Sequence, residues 1–251
     1  MADLSSSGGT SITMSKIVFL GDSLTADIPY GEKKSWVKKF CTEYDFSYKN
    51  LAVTAGNNKT QVIKLQHYLL SDEYDKNDIF FWEINASGRV NVLFNRKQIV
   101  GDKTLEDAVN TTRESEFSEH ITNVSNVFKN DNYGMILCHP KLNLYRRLVD
   151  PYDLQNVEEF VLQEVLSQIK LLSQAGHLVI VVLGWRDCLA ENHKEVFFQQ
   201  LNKTSAHIID AEILEWCIDQ NLPIDDDGLH PDQLSATLLW AKAHLLPILK
   251  K

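Results

Sequence analysis

Short runs in which nearly every residue is apolar alternate along this chain with longer stretches in which apolar residues recur every three or four positions. KIVFLG, from Lys16, has the first pattern, which is that of a strand buried on both faces. SWVKKFCTEY, from Ser35, has the second and sets Trp36, Val37, Phe40, Cys41 and Tyr44 on one helical face. FSYKNLAV is β-like and runs towards Gly56-Asn57-Asn58, after which TQVIKLQHYLL repeats Val62, Leu65 or Gln66, and Leu69 at helical spacing. DIFFWEIN is a third strand. VEEFVLQEVLSQIKLLSQAG is a long amphipathic helix closed by Gly176. HLVIVVLGW and AHIID are a fourth and a fifth strand, and a final helix carries Leu234, Leu238, Ala241 and Leu245 on one stripe.

Strands separated by helices make βαβ units, and these build a parallel sheet with helices on both faces. The stretch from about Ala86 to Pro151 breaks the rhythm. It holds GRVNVLFNRKQIVGDKTLED, a helical pattern near Glu116 to Lys129, and YGMILCHP, which reads as a further strand. It is either an elaborate insertion on one domain or an extra βα unit. A length of 251 residues suits one large domain or two small ones. Nothing in the composition marks a linker and no repeat is present, so one domain over 14–251 with an insertion at about 86–151 is expected.

Composition narrows the partners. A net charge of −9 argues against nucleic acid or an anionic membrane. The basic clusters at Lys33, Lys34, Lys38 and Lys39 and at Arg146 and Arg147 read as solvated faces. No apolar run reaches the length of a membrane span. Residues 1–13, MADLSSSGGTSIT, have neither the basic start nor the apolar middle of a secretory signal and read as a disordered tail, with Met14 as an expected start. Cys41, Cys138, Cys188 and Cys217 form no C-x-x-C pair and are expected to be reduced, semi-buried thiols of a cytoplasmic protein.

The chemistry gathers where the apolar runs stop. In parallel sheets reactive groups collect at the carboxyl ends of strands, and KIVFL ends in Gly21-Asp22-Ser23-Leu24. A serine nucleophile needs a base, a group that orients the base, and donors aimed at the developing oxyanion. Asp227 and His230 stand three apart in DDDGLHPDQ, just before the last helix, and Asp225 and Asp226 add negative potential that favours an imidazolium. Gly56 follows the second strand and is expected to offer a bare backbone N–H. Asn85 ends the third strand with a neutral amide donor. His139 reads as structural, and Trp185 and Arg186, after the fourth strand, either face a ligand or pack at a rim. HKE at His193 to Glu195 lacks the P-C-x-x-C partner of a zinc deaminase. There is no H-E-x-x-H, P-loop, dinucleotide fingerprint or G-x-S-x-G elbow, and no metal or cofactor is called for.

These blocks resemble the SGNH (GDSL) hydrolases, from Lys16 to the last helix and in that family's order. The resemblance implies a flavodoxin-like three-layer α/β/α sandwich with a central parallel sheet. It also implies Ser23 as nucleophile, Ser23 N–H, Gly56 and Asn85 as oxyanion donors, and Asp227 and His230 as the other triad members. The family's third block is Gly-x-Asn-Asp, whereas here it is Glu83-Ile84-Asn85-Ala86. Glu83 is therefore expected to enter the pocket, repel anions and hydrogen-bond a sugar hydroxyl; Asp22 and Trp185 are further candidates for substrate contact.

The reading this supports is a serine esterase acting on an O-acyl, expectedly acetyl, ester of a small molecule or carbohydrate. The alternative is a carbohydrate O-acetyltransferase with the same residues and a donor such as acetyl-CoA, motivated by the insertion and the Glu83 block. A third reading, a non-catalytic carbohydrate-binding module on a hydrolase fold, fits poorly with an intact serine, aspartate and histidine.

Overall fold

Strands that are apolar on both sides need helices above and below, and the chain supplies both layers. The computed structural model describes residues 15–27, 35–53, 56–85, 90–95, 99–100, 103–104, 133–138, 154–184, 189, 191–225 and 230–251. In chain order the described elements are β1 (Ile17–Leu20), α1 (Trp36–Tyr44), β2 (Tyr48–Asn50), α2 (Asn58–Leu69), β3 (Ile79–Ile84), β4 (Val90–Asn95), β5 (Ile99–Val100), β6 (Lys103–Thr104), β7 (Tyr133–Cys138), α3 (Leu154–Gln174), β8 (Val179–Leu183), α4 (Glu191–Leu201), β9 (His207–Ile209), α5 (Ile213–Asp219) and a C-terminal helix.

Five strands form one all-parallel sheet in the order β2-β1-β3-β8-β9. Alternate residues on each strand serve opposite faces. Val18, Leu20, Phe80, Trp82, Val179 and Val181 pack with side chains of α2, α3 and α4. Their neighbours Ile17, Phe19, Phe81, Ile180 and Val182 pack with α1, α5 and the C-terminal helix. The protein is thus a three-layer α/β/α sandwich.

In this order β1 leads to β2 on one side and β3 on the other, so the chain reverses direction across the sheet between β1 and β3. The carboxyl ends of strands at such a switch point open a crevice. Leu20 is level with Trp82, and Ile84 with Leu183, which puts Gly21, Asn85 and Gly184 along one edge of the sheet.

YGMILC does form a strand, but not one of the main sheet. As β7 it pairs antiparallel with β4, with Val90 opposite Cys138, while β5 pairs with β6. β7 therefore does not extend the parallel sheet. The pattern near Glu116 to Lys129 and His139 lie outside the described residues.

The C-terminal helix departs from the regular stripe. π-helical turns at Gln233–Thr237 and Ala241–Leu245 alternate with α-helical turns at Leu238–Trp240 and Leu246–Leu249. A wider turn rotates the residues that precede it, so Leu234 is 41% exposed while Leu238, Ala241 and Leu245 stay buried. Gln233 and Thr237 are buried instead.

Cys41 and Cys217 are free thiols inside the layer of α1, α5 and the C-terminal helix, and burial pushes both up to about 12. The thiolate is the reactive form. Iodoacetamide at pH 8 followed by peptide mapping should leave both unmodified in the native protein and label both in denaturant; labelling in the native state would contradict this packing.

Candidate active site

Ser23 sits in a turn held on every side. After β1 the chain closes on itself, with Thr25 N–H and Ala26 N–H donating to the Asp22 carbonyl at 3.1 and 2.7 Å. Leu24 N–H donates to Asp22 Oδ1 at 3.1 Å, and the Leu24 side chain is fully buried beside Trp36 and the C-terminal helix. The Leu24 carbonyl accepts from Trp36 Nε1 at 2.6 Å and from Gln233 Nε2 at 3.4 Å, and the Thr25 carbonyl accepts from Asn50 Nδ2 at 2.8 Å. Such ties fix the Ser23 backbone in one place. Ser23 itself is 6% exposed, and among the described residues its N–H has no hydrogen-bond acceptor.

His230 reaches this turn from the other end of the chain. Ile224 and Pro231 form an isolated antiparallel bridge, flanked by Asp225 N–H to the His230 carbonyl at 2.7 Å and Asp232 N–H to the Pro223 carbonyl at 2.9 Å. Proline is tolerated there because the bridge does not use the N–H it lacks. Asp232 then caps the C-terminal helix, its Oδ1 accepting from Leu234 N–H at 3.1 Å and Ser235 N–H at 2.7 Å. The result is His230 Nε2 at 2.7 Å from Ser23 Oγ. With Nε2 unprotonated, the hydroxyl donates into the imidazole, as a nucleophile–base pair requires.

No family model matches the sequence, and no curated protein is similar to it. The solved structures are more informative. The chain is similar to the psychrotrophic esterase EstA from Pseudoalteromonas sp., at 13% identity and a TM-score of 0.52, over 94% of this chain and 100% of that one. It is also similar to a member of the lipolytic protein G-D-S-L family from Veillonella parvula, at 14% identity and a TM-score of 0.50, over 94% and 99% of the two chains. This chain has the SGNH-hydrolase fold.

Within that fold the expected oxyanion residues behave differently from one another. Asn85 follows β3 and is completely buried, yet among the described residues neither its Oδ1 nor its Nδ2 has a hydrogen-bond partner. Its backbone is clamped: Asn85 N–H donates to Asn58 Oδ1 at 3.0 Å, and Asn58 Nδ2 donates to the Asn85 carbonyl at 3.4 Å. Buried polar side chains are nearly always paired, so a fixed and unpaired amide beside the switch point is a donor held for something else. Gly56 does not offer a bare N–H. It donates to the Val53 carbonyl at 2.7 Å, closing a turn, and a Cβ on Gly56 would come within 2.6 Å of that carbonyl.

The third block of the SGNH fold departs from expectation most at Glu83. Its side chain does not reach an opening; it is completely buried, with Asp22 N–H donating to Oε2 at 3.3 Å and the Thr25 hydroxyl donating to the same oxygen at 2.5 Å. Burial, the negative charge of Asp22 and a hydrogen bond with the Asp22 side chain hold Glu83 well above the ordinary carboxylate range. A buried, protonated acid neither repels an anionic substrate nor meets a sugar hydroxyl. Asp22 is also completely buried and turned onto its own turn. Trp185, Arg186 and Asp227 lie outside the described residues.

Asn58, Thr25, Gly184, Trp36 and Gln233 were not singled out by sequence reasoning, although all five support the site. Asn58 alone left a signal. Asn57 suffices to cap α2, its Oδ1 accepting from Thr60 N–H at 2.8 Å, so the second asparagine of the pair needed another purpose.

Proposed function

We propose that this chain is a serine esterase that cleaves an O-acyl, expectedly acetyl, ester. Ser23 Oγ attacks the ester carbonyl carbon while His230 Nε2 takes its proton; Asp227, three residues before His230, orients the imidazole. The oxyanion that forms is met by Ser23 N–H and the Asn85 amide. Gly56 could join them only by exchanging its bond to Val53. Collapse breaks the carbonyl carbon–alkoxy bond, and the alcohol leaves with the proton from His230. Water then adds to the acyl-enzyme with His230 again as base, releasing the acid and restoring the serine. The observation that carries this reading is the 2.7 Å contact between Ser23 and His230, residues 207 apart in sequence, at the switch point of the sheet. EstA, similar to this chain in fold, is an esterase whose structure was obtained inhibited by monoethylphosphonate.

The second reading, transfer of the acyl group to a sugar hydroxyl, is favoured by where the 86–151 segment is rooted. Val90 follows the carboxyl end of β3 by six residues, at most about 22 Å of extended chain, and Cys138 is paired with it. One end of each strand of the β4–β7 ribbon is therefore within that chain reach of the carboxyl end of β3, and an acceptor site built by this segment is what the reading requires.

Incubation with a short-chain aryl acetate, with and without candidate sugars, separates the two. Hydrolysis predicts free acetate equal to the aryl alcohol released in every arm; transfer predicts acetylated sugar in its place. Absence of Ser23-dependent acyl release in all arms overturns both.

A further inference from the structure

We propose that Glu83 is a positioning residue for Ser23: its carboxyl group, locked between the ends of two neighbouring strands, fixes the turn that carries the nucleophile. The inference rests on the esterase reading and deepens it. Its carboxyl group occupies a slot that only two glycines leave open. A Cβ on Gly21, at the end of β1, would come within 2.4 Å of Glu83 Oε2, and one on Gly184, at the end of β8, within 2.4 Å of Oε1. Glu83 thus replaces side-chain volume that neither neighbouring strand supplies.

The contacts show what it does there. Oε2 accepts from Asp22 N–H and from the Thr25 hydroxyl, the residues on either side of Ser23-Leu24. One acid therefore holds the turn at both ends. Asp22, whose Oδ1 accepts from Leu24 N–H, places its negative charge beside this group, while Glu83 Oε1 has no hydrogen-bond partner among the described residues. Among the described residues the charged group that faces Glu83 is Asp22; Thr25, Gly21 and Gly184 are neutral, as is Gln61 of α2, whose Nε2 donates to the Glu83 carbonyl at 3.1 Å. Ionisation sets two carboxylates side by side in a dry slot, and the turn between them is what can yield.

The sign for stability follows. Glu83 is raised above its ordinary 4.5 in the folded protein, so the folded state holds a proton that the unfolded chain has lost. Its contribution to stability therefore falls as pH rises from about 4.5 towards the folded value. Glu83→Gln keeps the shape and the acceptor oxygen for Asp22 N–H and Thr25, but has no proton to lose.

The test measures the rate at which a fluorophosphonate modifies Ser23, by intact mass and peptide mapping, for wild type, Glu83→Gln and Glu83→Ala from pH 6 to 9.5. Thermal melts of each variant accompany it, and Ser23→Ala is the blank. Glu83→Gln should match wild type at pH 6 within about threefold, and the ratio of Glu83→Gln to wild type should rise as pH rises. The melting temperature of Glu83→Gln relative to wild type should rise with it. Glu83→Ala should melt cooperatively yet react about 10²-fold more slowly, the cost of a misplaced nucleophile. A flat ratio across pH, or Glu83→Ala reacting at the wild-type rate, overturns the role of Glu83 while leaving the esterase reading standing. No modification of Ser23 in wild type at any pH overturns the esterase reading itself, and the positioning role with it.

Discussion

Ser23→Ala is expected to lower kcat for an aryl acetate by roughly 10⁴- to 10⁶-fold, the range for loss of a triad member. The fold should survive. Ser23 is nearly buried, among the described residues its side chain makes one hydrogen bond, to His230, and alanine is smaller. The stability lost should be about 1 kcal/mol, the net worth of an ordinary hydrogen bond. Steady-state kinetics and a thermal melt on the same preparation check both halves. Ser23 and His230 act as a unit, so His230→Ala added to Ser23→Ala should cost little more than Ser23→Ala alone. A Ser23→Ala enzyme within tenfold of wild type would remove Ser23 as the nucleophile.

How far the sequence anticipates this arrangement depends on whether the signal is local. The central strands β1, β3 and β8 are legible because each is buried by helices on both sides, which leaves apolar runs such as IFFW in β3 and VIVVL in β8 with no polar residue to confuse the period. Ser23 and His230 are legible because a hydroxyl at a strand tip and an imidazole before the last helix are odd choices for structure alone. α4 and α5 were less visible: α5 is seven residues long, and α4 carries Val196 47% exposed beside a buried Phe197, a weak stripe.

Two failures are more instructive. Glu83 looks from its neighbours in sequence like a carboxylate aimed at substrate. Its surroundings are set by Gly21 and Gly184, 62 residues before it and 101 after it, and only pairing of β1, β3 and β8 brings those glycines to either side. Leu234 looks like the first position of the helix stripe. It is turned outward because the helix opens with a π turn, and Gln233 is buried against the carbonyl of Leu24. Both follow from tertiary contacts that no window of sequence contains.

Asn85→Ala should separate catalysis from stability in opposite directions. An ordinary buried asparagine is held by its side-chain hydrogen bonds, and removing it costs both them and the packing. Here the side-chain oxygen and nitrogen have no hydrogen-bond partners among the described residues, whereas the backbone N–H and carbonyl are held by Asn58 and stay so in the variant. An unsatisfied buried polar group costs about 1 to 3 kcal/mol, so the melting temperature should hold or rise when the amide is removed. Turnover should fall, because the amide is the preorganised donor proposed for the oxyanion, and loss of one such donor lowers kcat by about 10²- to 10³-fold. The effect should sit in kcat, with KM changed little, since the negative charge it meets exists only in the transition state. Kinetics and calorimetry on Asn85→Ala supply the test. A change confined to KM would make Asn85 a ground-state contact. A large loss of stability would mean that its amide is already bonded within the fold, and the oxyanion role would then fall to Ser23 N–H and a rearranged Gly56.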